Sequence, residues 1–350
     1  MRILIMDPHL DQAMAFARLI RQTAPAARVI GGYEAGRKPY LKLPYYHSLQ
    51  ECRFEDPGLE DQFDVVIPTG ADSTVKRVSG KGRIRLGEVI FDEANLRANN
   101  KPAILTLARE CGVPIPETWE NPALIRQYPI FFKDAREDNR PQRLRGIAES
   151  PTALEKRCGA SPGLIYQELI DTPHTFGVAF LASNGELHTH FIHRELCSFP
   201  VSGGSGVILQ RHSAPRLLDL TQNLLDKLGY NGWGLMEFKW CSRRKDFVFM
   251  ELNAKFWESA AFAFLNQPAF LKHLLGINYP GQAIDKAVYL KRFFLLPIKT
   301  QLAMLGKLPG CRLLGTEHLK SYVAGHLLPE RLKTGVKQLS GLAKNLVGQG

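Results

Sequence analysis

The sequence predicts an α/β protein: a small parallel-sheet domain, then two lobes of mixed sheet and helix, then a helical C-terminal extension. Three observations carry this expectation. The N-terminal part alternates short apolar runs with amphipathic stretches, as strand–helix–strand units do. The middle of the chain instead has apolar runs joined by polar turns, as antiparallel hairpins do. At 350 residues the chain is also longer than one core comfortably organises.

Arg2-Ile3-Leu4-Ile5-Met6 reads as the first strand, residues 10–22 as an amphipathic helix, Val29 to Gly32 as a strand end and Phe63 to Pro68 as a third strand. This first unit is placed at residues 1–95. Its turns are the expected place for a ligand, although no G-x-G-x-x-G marks a dinucleotide site. Lys101-Pro102 opens a helix that Gly112 stops, and Ile130-Phe131-Phe132-Lys133 is a strand ending in lysine. The polar stretch after it is a loop rich in arginine. Ser150 caps a short helix that starts at Pro151, and residues 164–170 (LIYQELI) form a strand. The first lobe is placed at 96–165 and the second at 166–280. In the second, Asn184-Gly185 is the strongest hairpin signal, SFPVSGGSGVIL is a glycine-rich loop running into a strand, and residues 215–228 are an amphipathic helix. Gly234–Trp240 and Phe247–Asn253 are strands joined by CSRRKD.

Composition narrows the function class. Hydrophobic residues make up 45% and charged residues 23%, ordinary for a soluble enzyme. The six cysteines are scattered with no C-x-x-C, against a disulfide framework or zinc cluster and in keeping with a reducing cytosol. The apolar N-terminal run ends at Asp7, too soon for a signal segment, and no apolar run is long enough to span a membrane. Of the net charge of +11, residues 281–350 carry +8. Such a tail can meet an anionic membrane or polymer, or simply be a solvated helical surface. No nucleic-acid partner is expected, and the expected location is cytoplasmic, with peripheral contact at the inner membrane face left open by that tail.

The chemistry concentrates on two strands. Alternate residues of a strand share a face, so Glu251 and Asn253 point the same way, and a hairpin can set Glu237 beside them. Two carboxylates and an amide oxygen make a hard, all-oxygen site of the kind magnesium takes, leaving positions for water and phosphate. Periodicity alone is equally consistent with separate solvent-facing acids. Lys101 and Lys133 can reach phosphate oxygens as point charges, or be surface lysines. His188 and His190 alternate onto one face as a potential metal pair, but no third ligand accompanies them.

Taken in order, these segments resemble the ATP-grasp superfamily of carboxylate–amine ligases over roughly residues 96–280. Asn100-Lys101 followed by GVPIPET resembles the first nucleotide lysine, IFFK the second lysine strand, and YQELI the hinge strand. FPVSGGSGV resembles the substrate loop, and MEF with MELNAKFWES resembles the acidic strand pair. The resemblance implies a two-lobed ATP-grasp fold behind an N-terminal α/β domain, with ATP and magnesium (or manganese) as cofactors. Glu237, Glu251 and Asn253 would hold the metal. Lys101, Lys133, Gln167, Glu168, Leu169, Ile170 and His174 would hold the nucleotide, with Glu168 and the backbone at Leu169 facing adenine. Lys255 and Arg194 would be the catalytic cations that hold an acyl phosphate or substrate carboxylate. The implied reaction joins a small carboxylate to an amine through an acyl phosphate, in surface-polysaccharide or secondary-metabolite synthesis.

Three departures stand beside it. The loop after Lys133 is arginine-rich and lacks glycine until Gly146, His174 or Thr175 lies where the family has a ribose-binding acid, and Lys255 replaces an arginine. They leave a second reading open: a non-catalytic ATP-binding regulatory or scaffold protein.

Overall fold

The computed structural model describes residues 1–39, 43–136, 144–159, 161–170, 172, 174–201 and 203–315. The chain opens with β1 (Arg2–Met6), α1 (Asp11–Thr23), β2 (Arg28–Tyr33), β3 (Ser48–Glu51), α2 (Leu59–Gln62), β4 (Val65–Ile67) and α3 (Ala71–Lys81). The strands form a parallel sheet in the order β3-β2-β1-β4. Ile3 to Met6 are all fully buried, as in a strand covered on both faces, which is why this run is apolar throughout instead of alternating. α1 buries Ala13, Phe16, Ala17 and Ile20 on one stripe.

The next hairpin, β5 (Arg83–Leu86) with β6 (Val89–Asp92), lies before the expected boundary at 95 but leaves the parallel sheet. Phe91 packs on Trp233 with ring centroids 4.9 Å apart, and the Glu88 N–H donates to the His273 carbonyl at 3.0 Å. Burying Phe91 therefore carries the hairpin onto the second lobe.

The first lobe comprises α4 (Lys101–Glu110), β7 (Thr118–Trp119), β8 (Ile130–Asp134), β9 (Arg145–Ala148), α5 (Pro151–Cys158) and β10 (Leu164–Glu168). Its antiparallel sheet runs β7-β10-β8-β9. Trp119, Ile130, Phe132 and Tyr166 pack with Leu154 and Cys158 of α5, so alternation turns Phe131, Lys133 and Gln167 to the other face. Ser150 caps α5, accepting from the Ala153 N–H at 3.2 Å. β10 runs past the expected limit at 165 because Gln167 and Glu168 still pair with Phe131 and Ile130.

The second lobe follows: β11 (Thr175–Ser183), β12 (Glu186–Phe199), β13 (Ser205–Arg211), α6 (Pro215–Leu228), β14 (Gly232–Cys241), β15 (Asp246–Asn253), α7 (Ala260–Asn266) and α8 (Ala269–Leu275). Asn184 and Gly185 both have positive φ (51° and 83°), as the tight turn between β11 and β12 requires. The chain then adds β16 (Lys286–Tyr289), α9 (Leu290–Phe293), α10 (Ile298–Met304) and β17 (Cys311–Leu314), completing a seven-stranded sheet β15-β14-β11-β12-β13-β16-β17.

Over 281–315 the extension expected to be helical is mixed: α9 and α10 are helices, but β16 and β17 join the large sheet. Ala287, Val288 and Tyr289 are buried, and β16 pairs with β13, which would otherwise be an edge. Residues 316–350 of that expectation lie outside the described residues. Arg292, counted with the basic surface in the sequence, is a buried tie. It donates to the Gly206 carbonyl at 2.7 Å, pairs with Asp11 of α1, meets Glu258 at 3.2 Å and stacks on Tyr289. Among the described residues no helix is long and apolar enough to cross a membrane.

Candidate functional site

The site is built on one face of the large sheet. In register, Glu237 of β14 lies opposite Glu251 of β15 on one side and Gly177 of β11 on the other, and Gly177 lies opposite His193 of β12. Cross-strand partners share a face, so Glu251, Glu237 and His193 line one row, with Asn253 beside it. The Asn253 Nδ2 donates to Glu237 at 3.4 Å and to Glu251 at 3.3 Å. The Lys255 Nζ donates to the Asn253 Oδ1 at 3.2 Å. From the first lobe, Lys133 crosses the cleft, donating to the Met250 carbonyl at 3.1 Å and standing 3.6 Å from Glu251. Lys101 is buried at the start of α4, its N–H bonded to the Ala135 carbonyl at 2.9 Å, which sets it beside the end of the Lys133 strand.

The sequence therefore places Glu237, Glu251, Asn253, Lys133 and Lys255 in one cluster, with Lys101 near it. Burial and then the neighbouring Glu251 and Glu195 push the Glu237 carboxyl well up, and Lys133 and Lys255 offset only part of this. A divalent cation fits these donors. Two carboxylates and an amide converge, and turning the Asn253 amide over presents its oxygen in place of its N–H, since amide orientation follows the local hydrogen bonds. Among the described residues no three His, Cys, Asp or Glu side chains are placed to hold a metal, so the His188 and His190 pair stays without a third partner.

The hinge residues are placed differently from each other. Gln167 is fully buried, its Nε2 donating to Thr118 at 3.2 Å and its Oε1 without a partner. Ile170 packs with Cys241, Val248 and Met250, an apolar patch next to Glu237, and Leu169 is half-buried. Glu168 does not present its carboxylate to this patch. Arg243 and Arg244, from the β14–β15 turn, grip one oxygen each, and the Glu117 N–H donates to it at 3.2 Å. The His174 Nδ1 donates to the Glu195 carbonyl at 3.0 Å, and burial chiefly lowers its pKa.

Arg194 is not brought to the cluster. It pairs with Phe176 in register, which places it on the opposite face from His193 and Glu195, where its Nη2 donates to Gln210 at 2.8 Å. The side chains that do reach the site face from that strand are its neighbours. His193 lies over Gly177, with Nε2 buried and unpartnered, and burial lowers its pKa to about 4. Glu195 is buried, accepts from the Ser198 hydroxyl at 2.6 Å, and burial raises it to about 7. Lys239 of β14 also lies on this face, and burial lowers its pKa against the pull of Glu195 and Glu237. Alternation from Glu237 signals Lys239, whereas His193 and Glu195 require knowing which parity of β12 faces inward.

No protein-family model matches the chain, and no curated protein matches it by sequence. Solved structures do match. An N5-carboxyaminoimidazole synthetase from Staphylococcus aureus complexed with ADP is 10% identical, covers 88% of this chain and 86% of its own, and has a TM-score of 0.59. A biotin carboxylase–βγ-ATP complex from Campylobacter jejuni is 16% identical over 80% and 72% (TM-score 0.57), and an L-amino acid ligase from Bacillus licheniformis is 15% identical over 75% and 69% (TM-score 0.54). The likeness is one of fold, and the chain has the ATP-grasp fold.

Proposed function

We propose that this protein is an ATP-dependent ligase that joins a small-molecule carboxylate to an amine through an acyl phosphate. The observation that carries the proposal is the half-buried Glu237–Glu251–Asn253 cluster, which faces lysines from both lobes across one cleft. The structural neighbours support it: their names are those of ligases and nucleotide complexes.

In this reading Glu237, Glu251 and Asn253 would hold magnesium. A bound magnesium ion neutralises charge on the phosphate oxygens. The patch of Ile170, Cys241, Val248 and Met250 takes the adenine ring, and the unpartnered Gln167 oxygen can accept from its amino group. Lys101 and Lys133 bind phosphate oxygens; Lys133 exchanges its present contact with Glu251 for them. A substrate carboxylate oxygen attacks the γ-phosphorus, and the bond to the β–γ bridging oxygen breaks, releasing ADP. Lys255, at the end of β15, offsets the charge on the resulting acyl phosphate. A neutral amine attacks the acyl carbon, phosphate leaves with the C–O electron pair, and the nitrogen passes its surplus proton to the departing phosphate.

The test is release of ADP and phosphate with magnesium, ATP and a panel of carboxylates paired with amines. Substrate-dependent release in the wild type and its loss in Glu251→Gln are expected. ATP binding without release across the whole panel would favour the scaffold reading and sink this one.

A further inference from the structure

The outward face of α10 is apolar, where a helix bordering water ordinarily carries polar residues. The helix runs on into a 3₁₀ turn at Leu305–Lys307. Its inner side holds it to the protein. The Gln301 Nε2 donates to the Phe294 carbonyl at 3.4 Å and to the Leu296 carbonyl at 2.7 Å, and Met304 and Leu308 pack against the buried cluster of Val207, Ile208, Val288 and Phe293. Those contacts fix which side is turned out. Ile298, Leu302 and Leu305 follow one another at helical spacing and so form one row. They are 61%, 64% and 51% exposed. Ala303 and Gly306 are exposed beside them, and Lys299 is the only charged residue from 298 to 306.

A single exposed leucine is ordinary, but a row of three large aliphatic side chains on one helix is a patch that asks for a partner. The charges around it have one sign. Between Asp285 and Glu317 the sequence has six Lys/Arg and no acid, and Lys299 and Lys307 stand exposed toward the two ends of the row. This chemistry selects the partner. Protein interfaces are enriched in aromatic side chains and arginine and depleted in lysine, whereas this face has no aromatic residue and its charges are lysines. A second copy seated on it would bring lysines from both copies together with no acid between them. Aliphatic side chains flanked by lysine are instead the composition of a helix that lies on an anionic bilayer.

We propose that the outer face of α10 docks on an anionic membrane surface. Ile298, Leu302 and Leu305 enter the boundary between headgroups and acyl chains, and the ammonium groups of Lys299 and Lys307 meet lipid phosphates. The attachment is adsorption to one leaflet and needs no spanning helix. Because α10 is held through Gln301, Met304 and Leu308 on its other side, its outer face can meet lipid with no rearrangement of the fold. The proposal is independent of the ligase reading.

The experiment sediments the full chain with sucrose-loaded vesicles, made of phosphatidylcholine alone or mixed equally with phosphatidylserine, at low and at raised salt. Sedimentation with the mixed vesicles only is expected. Replacing both leucines together (Leu302→Ser with Leu305→Ser) should weaken it about thirtyfold. Lys299→Gln and Lys307→Gln should each weaken it about fivefold, a loss that raised salt reproduces in the wild type. The unfolding midpoint of every variant should match the wild type, because these side chains lie outside the buried core, and that measurement separates lost docking from a lost fold. Equal sedimentation with both kinds of vesicle, or wild-type binding by the double leucine variant, would overturn the proposal. So would a wild-type dimer in lipid-free solution that the leucine substitutions abolish, which would give this face to a second copy of the chain.

Discussion

Glu168 and the Glu237–Glu251 pair lie along the same cleft, yet the protein treats their charges in opposite ways. Glu168 is held by two guanidinium groups and a backbone N–H. Glu237 and Glu251 sit directly opposite each other in register and share the Asn253 amide at 3.3–3.4 Å, with Lys133 standing 3.6 Å from Glu251. A buried charge with matched donors is finished business for the fold, and it ties the β14–β15 turn to the first lobe. Facing carboxylates repel each other and cost stability unless a cation joins them. In the proposed reading the difference separates a structural acid from acids kept for a ligand, and it makes Glu168, whose carboxylate is held by Arg243 and Arg244, a clamp between lobes.

The sharpest way to break this comparison is to neutralise one acid of each kind. Glu251→Gln is expected to lower magnesium-dependent ATP turnover about a thousandfold or more, with the unfolding midpoint held or slightly raised. Glu168→Gln is expected to do the reverse: it strands Arg244 and costs about 3–5 kcal/mol in urea unfolding, while turnover by the folded fraction stays within about tenfold. A Glu168→Gln protein as stable as wild type would dissolve the distinction.

Glu195 is the intermediate case, and pH sharpens it. Its carboxyl is raised to about 7 by burial, against 4.5 for the free side chain, with Ser198 donating to it. Between those values the folded chain keeps a proton that the unfolded chain has released, so this group's contribution to stability falls as pH rises from about 4.5 to about 7 and is flat above. Glu195→Gln is expected to remove about 2 kcal/mol of that pH dependence. Unfolding at pH 5 and pH 8 measures it, and an unaltered difference between the two would show that the acid is not buried in solution.

Much of this was legible in the sequence because it is local. The helix at 215–228, the Asn184-Gly185 turn and the Ser150 cap each depend on residues within a few positions, and each appears where expected. Glu237, Glu251 and Asn253 were legible because two residues of one strand fix their own parity and a short turn supplies the third. What was not legible depends on distant partners. Nothing near Phe91 says that Trp233 will bury it, nothing near Val288 says that β13 lacks a neighbour, and the arginines of CSRRKD look like an exposed turn until Glu168 arrives from the other lobe.

Arg194 is the clearest instance, and the smallest expected effect. A cation just before a glycine-rich loop is a reasonable partner for a substrate carboxylate, but a strand offers two faces and the sequence of one strand does not say which is inward. β12 pairs His193 with Gly177 and Arg194 with Phe176, and Gly177 is the residue that continues to Glu237. The side chain of Arg194 therefore leaves on the far side of the sheet, toward Gln210. Arg194→Gln is expected to leave ATP turnover by the folded protein within about twofold of wild type, about 0.4 kcal/mol. Lys255→Gln, on the site face, should lower it about a hundredfold under the same assay. If the two variants fell equally far, the register of β12 against β11 would have to shift by one residue, and with it the placement of His193 and Glu195.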